Sequence, residues 1–244
     1  MKKSIGIIGG MGPMATCDLM KKIIDNNLAT RDQEHIRIFV DCNTNIPDRT
    51  AAILQKGIDP RPEMIKSAIN LQKMGADVLI MPCNTAHYFL EDVQKSVSVP
   101  MLNMLSETAK VLVKQNVKCA AVLATDGTIK SGLYDKELKN MGIKPVYPSE
   151  EEQKMIMSII YDFVKAGREF LDIEKIRALE DNLIKQGAQA MILGCTELPI
   201  FFEKYQSKIK KIDPTLVLAC AAIEFTGNNK KSGVKTPLFA IYQD

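Results

Sequence analysis

Long apolar runs are missing from this 244-residue chain. Nothing approaches the roughly 18 to 20 continuous apolar residues that a bilayer-spanning helix needs, so no membrane partner is expected. Histidine is scarce, with only His35 and His87, and the six cysteines (17, 42, 83, 119, 195 and 220) form no CxxC pair. A structural zinc site gathers Cys and His at short spacings, so no metal is expected. Charge of one sign is also missing. The net charge is +3 and basic residues run no longer than short Lys pairs, which argues against nucleic acid as a partner. Ile5 to Ile8 is cut short by Gly9-Gly10 and is too brief for the apolar segment of a signal peptide. A cytoplasmic location with reduced thiols is therefore expected.

What remains is an ordinary globular composition, 46% hydrophobic and 25% charged. Short β-rich apolar runs alternate with longer helical segments. Ser4–Ile8, Ile36–Asp41, Val78–Met81, Ala120–Leu123 and Ala190–Leu193 read as strands, with Pro100–Leu102 and Ile209–Ile212 as weaker candidates. Helices are expected at Pro13–Leu28, Arg61–Met74, Thr85–Gln94, Ser106–Lys114, Gly132–Asn140, Glu151–Lys165, Ile173–Lys185 and Leu216–Phe225. The strands are continuous apolar runs rather than alternating ones, the mark of a parallel sheet covered on both faces. Ile46–Thr50 reads as a loop. The tail from Gly227 onward reads as exposed and weakly structured.

The chain also repeats itself. Gly75-Ala76 opens an apolar run that ends at Cys83, and Gly187-Ala188 opens another that ends at Cys195. Both landmarks recur at an offset of 112 residues (187 − 75 and 195 − 83). The expected fold is α/β with two similar lobes, each a mostly parallel sheet flanked by helices. The first lobe takes 1–102 plus 212–244, and the second takes 103–211. One cysteine from each lobe would then face the cleft between them.

Two thiols across one cleft suit removing a proton from one face of a carbon and returning it to the other. Each cysteine ends a strand, where open α/β sheets bind ligands, and each is followed by polar residues, Asn84-Thr85 and Thr196-Glu197. A thiol at a following helix N-terminus has its pKa lowered, and this is expected of both. The other four cysteines read as packing residues. Gly9-Gly10-Met11-Gly12-Pro13 has two readings, a tight βα turn or backbone N–H groups approaching a small carboxylate. It matches neither the dinucleotide fingerprint nor a P-loop. Arg49 is either a solvated loop residue or a carboxylate fork. Lys165 ends a helix, where the dipole alone favours a cation. His87, one turn after Cys83, either packs or orients something nearby.

Five segments, Ile7-Ile8-Gly9-Gly10-Met11-Gly12-Pro13, Asn45-Ile46-Pro47-Asp48-Arg49-Thr50, Met81-Pro82-Cys83-Asn84-Thr85-Ala86-His87, Leu123-Ala124-Thr125-Asp126-Gly127-Thr128 and Gly194-Cys195-Thr196-Glu197, resemble the cofactor-independent aspartate/glutamate racemase family in order along nearly the whole chain. The resemblance implies two α/β lobes with the site between them, usually in a homodimer. It implies catalytic Cys83 and Cys195 acting as two bases at the α-carbon of an acidic amino acid, most simply L- and D-aspartate, with no cofactor. It further implies that Asn84, Thr85 and Thr196 hold the α-carboxylate and amino groups, that Met11 and Thr125 line the site, and that Arg49 and Lys165 hold the side-chain carboxylate. Two alternatives stand beside it: a glutamate or broad-specificity racemase of the same family, and a non-catalytic protein that binds an acidic amino acid. A cysteine hydrolase would need a base near one thiol, for which His87 is the only nearby residue in sequence.

Overall fold

The computed structural model describes residues 3–168, 172–203 and 205–228. The expected weak structure of the tail therefore lies outside the described residues from position 229 on. In chain order the elements are β1 (Ile5–Gly9), α1 (Pro13–Asn26), β2 (Ile38–Cys42), α2 (Arg49–Ile53), α3 (Arg61–Lys73), β3 (Val78–Ile80) and α4 (Leu90–Gln94). Next come α5 (Met104–Lys114), β4 (Cys119–Leu123), α6 (Asp126–Lys130), α7 (Leu133–Asn140), β5 (Lys144–Val146) and α8 (Glu150–Ser158). The described chain ends with α9 (Ile173–Lys185), β6 (Ala190–Leu193), α10 (Leu198–Glu203), β7 (Lys210–Ile212) and α11 (Pro214–Thr226).

The strands form two all-parallel sheets, ordered β2-β1-β3 and β5-β4-β6-β7. Pro100–Leu102 contributes only a parallel bridge between Met101 and Leu79, in the place beside β3 that β7 takes beside β6. The chain is thus an α/β fold of two lobes. The 112-residue repeat has a local cause. Gly75 (φ +97°) and Gly187 (φ +95°) end α3 and α9 in the left-handed region, which glycine enters without steric penalty. At each, the following alanine N–H reaches back to a leucine carbonyl at 3.1 Å (Ala76 to Leu71, Ala188 to Leu183). The glycine N–H bonds Gln72 in one copy and Ile184 in the other. This is the two-bond Schellman helix ending, and it fixes the angle at which β3 and β6 leave their helices.

The central strands β1, β3, β4 and β6 are buried on both faces, with Ile7 and Ile8, Leu79 and Ile80, Val122 and Leu123, and Met191 and Ile192 at 0% exposure, while β2 at the sheet edge leaves Val40 exposed. One apolar cluster runs through both sheets by way of α1, α5 and α11. The lobes therefore share a packed layer rather than an exposed linker. A wide hinge opening would expose that layer to water, at roughly 25 cal/mol per Å². α11 is fastened to α1 by Lys22, whose Nζ lies 2.6 Å from Asp213 and 2.5 Å from Asp18.

Several expectations are corrected. Arg49 is not in a loop: Asp48 accepts the Ala51 N–H and starts α2. The segment Thr85–Gln94 is a 3-10 turn, Thr85–Phe89, followed by the short α4. The segment Glu151–Lys165 begins as α8 and continues as a π-helical stretch, Ile159–Lys165, where Ala166 N–H bonds the Tyr161 carbonyl five residues back. β5 was not anticipated, because an edge strand of three residues with Pro145 at its centre carries little signal. Cys17 and Cys42 are exposed rather than packed. Asn228, at the start of the tail, is tied to Asn27 at 3.1 Å. No helix among the described residues is long and apolar enough to cross a membrane.

Candidate active site

The ends of β1, β3, β4 and β6 converge on one tight cavity. Its walls include all nine residues expected from the sequence: Met11, Arg49, Cys83, Asn84, Thr85, Thr125, Lys165, Cys195 and Thr196. Cys83 arrives from the first sheet and Cys195 from the second, each at 7% exposure. Four further residues complete the lining. Asp48, Thr50, Tyr161 and Glu197 were not expected. Thr50 and Glu197 sit next to expected residues in the same turns, so proximity in sequence was an available signal. Tyr161 stands four residues before Lys165 on the π-helical stretch, and no pattern marked it.

The two sulfurs have opposite surroundings. The Cys195 thiol donates to Glu197 Oε2 at 2.9 Å, and Thr196 donates to the same oxygen at 3.1 Å. Burial, then the Glu197 charge, pushes the Cys195 pKa well up, against the smaller pull of Lys165. The expected lowering is thereby corrected: desolvation and a neighbouring carboxylate outweigh any helix dipole. Lys165 Nζ lies 3.8 Å from Glu197 Oε1 and 4.4 Å from the Tyr161 ring centre. Burial opposes its charge, but Glu197, Cys195 and Tyr161 hold its pKa above the usual lysine value.

On the other side stands a cation. Arg49 donates to the carbonyls of Pro47 (2.9 Å), Met11 (3.2 Å) and Ile46 (3.3 Å). Its Nε is buried without a partner. Burial works against this guanidinium, while the Cys83 sulfur and Asp48 favour it, and its pKa ends above the ordinary arginine value. The solvated-loop reading is thus set aside. Beside Cys83, Asn84 is 2% exposed and its Nδ2 also lacks a partner. Two buried donors that find no acceptor within the protein mark a place for an anion.

His87 supports the Cys83 turn and does not act as its base. Met104 N–H donates to His87 Nε2 at 3.1 Å, so the ring proton sits on Nδ1, which donates to the Cys83 carbonyl at 2.8 Å. Burial lowers its pKa to about 4, leaving the ring neutral near pH 7. With Nε2 taken by the Met104 N–H and Nδ1 by the Cys83 carbonyl, the ring has no lone pair for the Cys83 thiol, which removes the base that a cysteine hydrolase reading requires. The glycine turn keeps to the structural reading at Gly10, whose N–H is taken by Thr16 Oγ1 at 3.0 Å. A hydroxyl cluster bridges the lobes, with Thr85 Oγ1 at 3.0 Å from Thr125 and 2.9 Å from Thr128. Among the described residues no three Cys, His, Asp or Glu side chains assemble as a metal site would require.

The Asp/Glu/hydantoin racemase family profile matches residues 8–222. The chain belongs to that family. It is 31% identical over 231 residues to the broad specificity amino-acid racemase RacX of Bacillus subtilis, covering 90% of this chain and 96% of that protein. A glutamate racemase from Persephonella marina is 30% identical, but over 62% of this chain and 56% of its own length. The aspartate racemase of Picrophilus torridus superposes with a TM-score of 0.81 at 32% identity, covering 94% of this chain and 96% of that one. The enzyme class is accordingly that of the amino-acid racemases, and the two-lobed fold is the one these structures share.

Proposed function

We propose that this racemase interconverts the enantiomers of an acidic amino acid, aspartate first among them, by two-thiol proton transfer without a cofactor. The observation that carries the reading is a pair of buried thiols lining one cavity from two sheets, with a guanidinium beside Cys83 and a carboxylate beside Cys195. The neutral Cys195 thiol gives the resting state its proton donor. Cys83, as thiolate, takes the α-proton and forms its S–H bond while the C–H electron pair stays on the α-carbon. Cys195 then releases its proton to the opposite face and becomes the thiolate. The reverse reaction exchanges the roles. A carbanion without a cofactor sink depends on donors aimed at its carboxylate, and the unpartnered Nδ2 of Asn84 suits that need, while Arg49 and Lys165 are left for the side-chain carboxylate.

Substrate breadth admits a second reading. Three of Arg49's hydrogen bonds go to backbone carbonyls, and Lys165 already faces Glu197. Both cations are thus partly engaged before a side-chain carboxylate arrives, which favours the broader specificity named for the Bacillus relative. Incubation with single enantiomers of aspartate, glutamate and alanine in deuterium oxide separates the readings. Racemisation with α-deuterium uptake is expected for aspartate above the others. Cys83→Ala and Cys195→Ala should each abolish it while leaving the fold intact. Racemisation surviving in either variant would overturn the two-thiol mechanism, and comparable turnover of alanine would favour broad specificity.

A further inference from the structure

Tyr134, on α7, lies outside the cavity lining and is 1% exposed. Its hydroxyl donates to Asn84 Oδ1 at 2.7 Å. The bond crosses between the lobes, because α7 follows β4 while Asn84 follows β3. The same ring also meets the other cysteine turn. A Cβ added at Gly194 would stand 3.1 Å from Tyr134 Cε2 and 3.0 Å from the Leu123 carbonyl. Gly194 is therefore small because the ring and the strand already fill its space. One buried aromatic thus touches the residue after Cys83 and the residue before Cys195.

The hydroxyl bond has a consequence for the cavity. An amide side chain has one acceptor end and one donor end. With Oδ1 committed to Tyr134, Nδ2 is left over, and Nδ2 is the buried Asn84 atom without a partner. Leaving a donor unpaired in the free protein is unfavourable, and a bound acceptor relieves it.

We propose that Tyr134 is a positioning residue that fixes the Asn84 amide with its N–H donors toward the substrate carboxylate. It also acts as the spacer holding the two cysteine turns at their working separation. This deepens the racemase reading and rests on it only for the identity of the carboxylate.

The test is a double-mutant cycle of Tyr134→Phe and Asn84→Ala, read on binding of succinate by calorimetry. Succinate carries two carboxylates and no stereocentre, so its binding is independent of racemisation. KM and kcat for aspartate are measured in parallel, and thermal melts check that each variant folds. Tyr134→Phe should weaken succinate binding and raise KM by about tenfold, the loss of a hydrogen bond to a charged group. It should lower kcat by less than that. In the Asn84→Ala background the same change should have little further effect on Kd, since no amide remains to orient. Additive effects on Kd, unchanged binding in Tyr134→Phe, or no succinate binding in the parent protein would each overturn the proposal. If the cycle is non-additive but the parent protein does not racemise aspartate, Tyr134 keeps its role and the substrate reading falls. If aspartate is racemised and the cycle is additive, the reverse holds.

Discussion

Glu197→Gln isolates the charge that sets Cys195 apart. The substitution keeps the shape and removes the negative charge whose oxygen lies 2.9 Å from the sulfur. Two unit charges about 4 Å apart near a protein surface interact by on the order of 4 kcal/mol, or about three pKa units. Lys165, 3.8 Å from the other carboxylate oxygen, cancels part of this, and the net result expected is a lower Cys195 pKa. The remaining elevation comes from burial and stays. The assay is alkylation by iodoacetamide between about pH 6 and 10, followed by peptide mass spectrometry at Cys195 alone, because Cys17 and Cys42 are exposed and react as well. A Cys83→Ala background removes the other cavity thiol. At pH 8 the rate at Cys195 should rise, with the profile moved to lower pH. An unchanged or higher midpoint in Glu197→Gln would refute the assignment of the carboxylate as the group that keeps this thiol protonated.

Arg49→Lys and Lys165→Ala should each lower kcat/KM for aspartate about tenfold or more and spare alanine. Equal losses for both substrates would mean that Arg49 serves the Met11 and Pro47 carbonyls rather than a substrate. His87 titrates at about 4 in the folded chain against roughly 6.5 unfolded. Between those values the unfolded state binds more protons, so stability should fall as pH drops through that window, by up to about 3 kcal/mol. Urea unfolding at several pH values should find a shallower slope in His87→Gln. Lys22→Ala leaves Asp213, at 1% exposure, as a buried carboxylate without its cation. It should destabilise the fold by about 3 kcal/mol, measured as a lower urea midpoint with unchanged m-value.

The chain announces its strands because a parallel sheet covered on both faces needs uninterrupted apolar runs, and Ile5–Gly9, Val78–Ile80, Cys119–Leu123 and Ala190–Leu193 are such runs. It announces its repeat through Gly75 and Gly187, since few residues other than glycine end a helix at φ near +95° and still allow the strand to leave. The cysteines follow from both, because the end of such a strand is where a side chain meets the cleft. Charge and partnership were not legible. Glu197 turns back on Cys195, Arg49 folds onto backbone carbonyls, and Tyr134 spans 50 residues of sequence to reach Asn84. Each depends on which elements pack together, and local propensity carries no information about that. Lys144–Val146 became a strand for the same reason, by pairing with β4 rather than by its own pattern. Sequence by itself determined the central strands, the duplication and the two thiols. Tertiary structure alone decided which thiol stands beside an anion, because burial and neighbouring charge are properties of the packed chain.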